Sequence, residues 1–362
     1  EMRTMIRIRD VLAFLLLSTA QAQQVHHRGV YSDPEPLWAT GAKLNELGIN
    51  AVFVHGGSID EALLGRAAKE GASVYAEFAT LNGKGYVEKH PEAWPINEKG
   101  KPAPAATWFI GVCPTDPGFR QYRRKQLEGL LNRFNVAGVW LDYFHWHAQF
   151  EDPNPILPET CFNESCLRAF QAHSKIKLPS LDAKESAAFI LSKHEKEWRR
   201  WRVQVLVDWA RDLRAVVKKR RPGALLGLYH CPWTDSESAG ARERILGLDL
   251  ERLNPVFDVL SPMVYHGRMG RSVEWVGQYV RWLSELAGPK KVWPIVQAHS
   301  ESEAIPSQEF ESVMREAASA GADGIMMFTT RAIASDPAKL EVLRRLYREW
   351  DGARMRETQS PQ

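Results

Sequence analysis

The feature that most constrains this chain is an alternation repeated eight times: a short apolar run, then a segment with helical spacing. The runs are "HHRGVYSD", "NAVFVHGG", "SVYAEFATLNG", "GVWLDYFHW", "LLGLYHCPW", "VLSPMVYH", "VWPIVQAH" and "GIMMFTT". Each is short and almost continuously apolar, as parallel strands buried on both faces should be. Helices are expected from about Pro36 to Leu47, Ile59 to Glu70, Pro117 to Asn135, Lys193 to Arg221, Ala239 to Leu253, Ser272 to Leu286, Ser307 to Ala318 and Pro337 to Trp350. Eight such units predict an α/β fold, a single (β/α)8 TIM barrel over residues 23–351, with a doubly wound sheet as the alternative. The connections after strands 3 and 4, Asn82 to Asp116 and Ala148 to about Ser192, are long, and barrels keep function in such loops. The tail "GARMRETQSPQ", residues 352–362, is expected to be disordered.

Composition narrows the class. The chain has 362 residues, 44% hydrophobic and 25% charged, as ordinary globular proteins do. Within residues 1–22, "MIRIRDVLAFLLLSTAQA" joins Arg7 and Arg9 to an apolar run, Val11 to Leu17, and to small residues around Gln21. That is the three-part pattern of a cleaved signal peptide, which predicts a secreted or periplasmic protein; the run is short for a membrane anchor. The formal charge of +3 gives no electrostatic footprint for nucleic acid. The basic run at Lys218 to Pro222 reads as a helix C-terminus, where cations suit the dipole. Of the four cysteines, Cys161 and Cys166 are close enough in sequence to be the expected disulfide if the chain is exported, with four reduced thiols as the alternative. Their spacing lacks the C-x-x-C repeat of a zinc site.

Residues at the C-terminal ends of barrel strands line the active site. That rule collects Asp33, His55, Glu77, Asp142, His145, His230, Trp233, Tyr265, His266, Gln297 and His299. No phosphate-binding glycine motif and no G-x-S-x-G nucleophile elbow occurs, so no cofactor is expected. Asp142 stands out, because a carboxylate closing an apolar strand is costly unless it is paired or used. Glu77 occupies the equivalent place on the neighbouring strand, where two acids could divide acid and base work; a structural ion pair with Arg28 or a loop lysine is its other reading. His55, His145, His230, Tyr265, His266 and Gln297 are candidate contacts for substrate hydroxyls, and Trp146 and Trp233 candidate platforms for sugar rings. Trp198, Trp201 and Trp209 recur at helical spacing and read as core. His145 and His147, two positions apart, would share one face of a strand and could hold a metal with Asp142, His55 or His266.

The segments "HPEAWPINEKGK", "GVCPTDPGFRQY", "VAGVWLDYFHW", "CFNESCLRAF", "LSPMVYH" and "ADGIMMF", between His90 and Phe328, resemble bacterial (β/α)8 glycoside-hydrolase-like proteins distantly related to the α-amylase clan. The resemblance implies a barrel that hydrolyses glycosidic bonds, with the strand-four acid, here Asp142, catalytic. In that group the cysteine-rich segment often reads C-x-C-x-x-C; here Asn163 takes the middle position. α-Amylase-type enzymes carry a second acid at the end of strand five, where this chain has "LYHCPW". The partner acid is therefore expected among Glu77, Asp235 and Glu301. The resulting expectation is an exported glycosidase acting on an oligo- or polysaccharide, with Asp142 as nucleophile or base and Glu77 or Asp235 as proton donor. The alternatives are a barrel that binds carbohydrate without cleaving it and a metal-dependent hydrolase.

Overall fold

All eight apolar runs form strands: β1 (His27–Tyr31), β2 (Ala51–His55), β3 (Ser73–Ala79), β4 (Gly138–Asp142), β5 (Leu225–His230), β6 (Val259–Val264), β7 (Ile295–Gln297) and β8 (Gly324–Phe328). Every neighbouring pair is parallel, and β8 pairs back with β1, so the sheet closes into a barrel in chain order. The computed structural model describes residues 25–106, 108–288, 291–299 and 304–357. Among these, no helix is long and apolar enough to cross a membrane. Residues 1–24, with the expected signal peptide, lie outside the described residues, as do Glu301 and residues 358–362.

Inside the barrel the strands alternate strictly. Tyr75 and Trp140 point to the axis, where the Trp140 ring meets Phe53 and Tyr75 edge-on at 5.0 Å and stacks on Trp293 at 5.4 Å. Trp293 precedes β7, so these rings meet across the axis and fill the lower interior. Room for them comes from glycine: a Cβ on Gly227 would overlap the Trp140 indole, and one on Gly324 would sit 2.7 Å from the Trp293 ring. The buried Trp140 N–H donates to Ser261 Oγ at 2.9 Å.

Aspartates cap the outer helices. Asp60, Asp116 and Asp182 accept backbone N–H groups at the starts of Glu61–Lys69, Pro117–Arg133 and Ala183–Lys193. The longest helix, Glu195–Arg220, buries Trp198, Trp201 and Trp209 against the barrel, as their spacing predicts.

Four helical boundaries differ from expectation. The first helix, Glu35–Ala39, stops well before Leu47, because Gly41 turns the chain at φ 86°. The segment expected as one helix from Ala239 to Leu253 is broken into Ala241–Arg244 and Leu250–Leu253; Gly247 between them has φ 71° and packs against the Trp146 indole. The long connection after β4 carries two helices of its own, Glu164–Ser174 and Ala183–Lys193. The last helix, Pro337–Glu357, runs past Trp350 into the segment expected to be disordered.

Candidate active site

The alternation that puts Trp140 in the core puts Asp142, two residues on, at the barrel mouth. The chain then turns sharply. Tyr143 takes a left-handed backbone at φ 52°, uncommon for a residue with a Cβ, and its N–H donates back to Asp142 Oδ1 at 2.8 Å. A cavity of about 770 Å³ opens above, within the roughly 300–1,000 Å³ typical of small-molecule sites. Its walls include Asp142, Tyr143, Glu151, Asp152 and Arg268, with Tyr31, Tyr229, Tyr265, Phe328 and Trp108.

Three carboxyls interact here. Glu77, on β3 and almost fully buried, is pushed up to about 7 by burial, against the opposing pulls of the Tyr31 hydroxyl and Arg123. The Tyr31 O–H donates to Glu77 Oε2 across a long 3.5 Å. Asp142 is raised well above the usual carboxylate range by burial first and then by the charges of Glu77 and Glu151, with the Tyr143 N–H opposing. Glu151 is raised by burial, but Arg268 Nη1 donates to its Oε2 at 2.5 Å and favours the ionised form. The Tyr31, Tyr229 and Tyr265 hydroxyls are pushed well up by burial and by neighbouring acids, so they remain donors.

Arg268 is itself positioned. Its guanidinium lies over the Tyr265 and Phe328 rings at 5.6 and 5.8 Å, and its backbone N–H donates to Gln297 Oε1 at 3.0 Å. Gln297 is buried, and its Nε2 donates to the His299 carbonyl at 2.8 Å. Gln297 therefore shapes the wall through the Arg268 loop, whereas a direct contact with substrate was the sequence-based expectation.

Several other candidates fall elsewhere. His230 is buried, its Nδ1–H donating to the Cys231 carbonyl at 3.0 Å, and burial holds it down to about 3. It points away from the cavity because Tyr229, one position earlier, takes the inward place on β5. For the same reason Tyr265 lines the cavity, while His266 turns outward to Glu309, Nε2 to Oε1 2.9 Å. His55 accepts the Gly57 N–H at 3.1 Å as a cap on an exposed turn. Asp235 is 73% exposed and ion-paired with Arg242, outside the cavity walls.

Trp146 is a correction: it is fully buried, its N–H donating to the Arg202 carbonyl at 3.1 Å with the Arg202 guanidinium over its ring. Such an indole has no face left for a sugar. Trp233 is similarly buried against Phe150. Glu151, Arg268, Tyr31, Tyr229 and Trp108 were missed. Glu151 and Trp108 lie in irregular loops, where no periodicity points to them.

The metal expectation for His145 and His147 rested on strand alternation, but β4 ends at Asp142, so the rule does not reach them. His145 Nδ1–H donates to the Trp146 carbonyl at 2.7 Å, while His147 Nε2–H donates to the Pro104 carbonyl, also at 2.7 Å. Burial keeps both imidazoles neutral, at about 4. Among the described residues the group with metal-binding spacing is Cys113, Cys161 and Cys166, whose sulfurs lie within 4.8 Å of one another. Three thiolates suit a soft cation, but none of them lines the cavity. All four cysteines are free thiols: Cys161 and Cys166 form no disulfide, and Cys166 sits 3.2 Å from Cys113, sulfur to sulfur.

The chain matches no protein-family model and no curated protein. Solved structures do resemble it. The glycoside hydrolase domain of PgaB (BpsB) from Bordetella bronchiseptica superposes with a TM-score of 0.67 at 16% identity, over 88% of this chain and 98% of that one. A β-galactosidase from the psychrophilic Marinomonas ef1 also reaches 0.67, at 14% identity over 88% of this chain. The chain spans 58% of that enzyme's length. An α-L-fucosidase from Paenibacillus thiaminolyticus gives 0.57 at 13% identity, over 90% of this chain and 49% of that one. None of these three is an α-amylase. At such identities the likeness establishes the fold, and the fold is one on which glycoside hydrolases are built.

Proposed function

We propose that this chain is a glycoside hydrolase in which Asp142 is the proton donor and Glu151 the ionised carboxylate across the cavity. The observation that carries the reading is a carboxyl with a raised pKa on a rigid strand end, facing a walled cavity that holds a second, arginine-paired acid. As the bond between the anomeric carbon and the leaving oxygen breaks, the Asp142 proton passes to that oxygen. Glu151 faces the positive charge that develops on the ring and either takes the proton of the water that attacks the anomeric carbon, or bonds to that carbon until a water, deprotonated by Asp142, displaces it and frees the sugar. Glu77 lies beneath and titrates at about 7; once ionised, its charge holds the proton on Asp142. This reverses the role expected for Asp142 and replaces Asp235 with Glu151, because the electrostatics favour a protonated Asp142 and Asp235 stays in solvent.

The tyrosine hydroxyls offer donors to sugar oxygens, and the rings offer apolar faces. The similar solved structures, which carry glycosidase names, support a carbohydrate substrate. The signal-like pattern of residues 1–22 supports export, so the substrate would be an extracellular or periplasmic oligo- or polysaccharide.

The test is release of reducing ends from a panel of polysaccharides by the wild-type chain and by Asp142→Asn. Loss of roughly 10²-fold or more, with an unchanged circular dichroism spectrum, is expected from removing a general acid. Wild-type rates in the variant would sink the assignment. Retention on an insoluble polysaccharide without release of reducing ends would favour a binding barrel.

A further inference from the structure

Beside the cavity lies a second hollow of about 290 Å³. The two share Trp108, Tyr143, Glu151 and Asp152 in their walls, so they are neighbouring compartments of one cleft. Among the described residues three large hydrophobic side chains are exposed, and two of them, Trp108 at 55% and Ile156 at 45%, belong to this hollow. Exposed apolar surface gathered in a concavity marks a binding site more often than scattered single residues do.

The hollow is built. Its floor is Phe109, whose ring stacks on Tyr143 at 5.3 Å and on His147 at 5.2 Å. Trp108 is anchored by its carbonyl, which accepts Asn82 Nδ2–H at 3.2 Å. The far wall is a short hairpin in which Gln149 and Ile156 exchange both backbone hydrogen bonds at 2.9 Å, holding Glu151 and Asn154 between them. His145 lines the hollow while only 6% exposed. Its Nδ1 gives its hydrogen to the Trp146 carbonyl, which leaves Nε2 as the ring's acceptor. An imidazole acceptor beside an exposed indole suits a ligand with both a flat apolar face and hydroxyl donors.

We infer that this hollow is a second sugar subsite, so that the chain's substrate is a glycan of at least two residues. One residue sits beside Asp142 and the next stacks on Trp108 and donates a hydroxyl to His145 Nε2. This rests on the glycosidase reading and adds to it: a cavity with one compartment would suit a simple glycoside, whereas a second, aromatic compartment selects a chain. The continuity of the two walls is what commits the occupant to a neighbouring residue of the same substrate.

The test is binding to the full chain carrying Asp142→Asn, which removes turnover. The probes are gluco-, galacto-, xylo- and N-acetylglucosamine oligomers from the monosaccharide to the hexasaccharide, titrated by calorimetry. For the series that binds, the disaccharide is expected to bind about tenfold or more tighter than the monosaccharide, a difference of about 1.4 kcal/mol. Trp108→Ala, at an exposed side chain whose loss spares the fold, should remove most of that gain, and Trp108→Phe should keep it. Equal affinity for monosaccharide and disaccharide, or a gain that survives Trp108→Ala, overturns the second subsite and leaves the hydrolase reading standing. If the gain is present but the wild-type chain releases no reducing ends from the same glycans, the hydrolase reading falls and the subsite stands. Binding of no series at all overturns both.

Discussion

The lower and upper halves of the barrel interior are built from the same strands, two residues apart, and they differ in almost everything else. On β3 the step runs from Tyr75 to Glu77, and on β4 from Trp140 to Asp142. On β5 it runs from Gly227 to Tyr229. Below, rings pack against rings and glycines make the room; above, acids, tyrosines and an arginine surround a cavity. The rigid aromatic plug fixes the strand ends, and the strand ends fix Asp142 and Tyr229 in the wall that the loop residues Glu151 and Arg268 complete. The aromatic core and the strand-borne part of the candidate site are thus separated by one pleat of each strand.

Mutations should therefore split cleanly between the halves, and the largest effect belongs below. Trp140→Ala removes a fully buried indole that packs on three rings and leaves a cavity, so a loss of roughly 3–5 kcal/mol is expected. Urea denaturation measures it; a loss below about 1 kcal/mol would mean that the plug is not what holds the barrel. Asp142→Asn should do the reverse. It should abolish turnover as stated above, yet leave the urea midpoint at neutral pH unchanged or higher, since burial already disfavours the ionised carboxylate. A large drop in stability would move Asp142 into the structural class.

Glu77 belongs to the upper half by its place on β3 but lies outside the cavity walls, and its titration shows which half it serves. Its folded pKa of about 7 lies above the ordinary 4.5, so between those values the folded state holds a proton that the unfolded state has released. Stability is then fully present below about 4.5 and falls as pH rises through 7, by roughly 3 kcal/mol at most. Glu77→Gln should flatten that slope in denaturation measured across the window. In the same variant the alkaline limb of the activity profile should move to lower pH, because the charge that raises Asp142 is gone. A flattened stability slope with an unmoved activity limb would make Glu77 purely structural.

How much of this was legible follows from the alternation itself. The fold was readable because parallel strands buried on both faces are short apolar runs, and eight in a row with helices between leave few architectures. Asp142 and Glu77 were readable as charges where none should stand cheaply. The same double burial erases the inside–outside signal: in "LYHCPW" and "MVYH" every position is apolar or half-polar, so parity could not be read. Collecting strand ends therefore returned His230 with no sign of Tyr229, and His266 alongside Tyr265. Glu151 and Arg268 were beyond reach for another reason. They meet only because loops after β4 and β6 fold toward each other, and nothing local encodes that contact.

The smallest effect is expected at Asp235, and it sharpens the comparison most cheaply. The sequence offered this residue as the missing acid after strand five, in place of an inward-facing group. The structure puts it on the rim, 73% exposed, with Arg242 as its partner. Arg242 is buried but also donates to the Trp233 and Leu248 carbonyls, so its pair with the exposed aspartate contributes about 1 kcal/mol and is weakened by salt. Asp235→Asn should change turnover by less than about twofold and leave the fold intact. A loss near that of Asp142→Asn would mean that the loop after β5 swings inward with substrate bound, and would bring back the acid placement expected from the α-amylase resemblance. A null result leaves Glu151 as the partner acid, and Glu151→Gln should then match Asp142→Asn in the same assay.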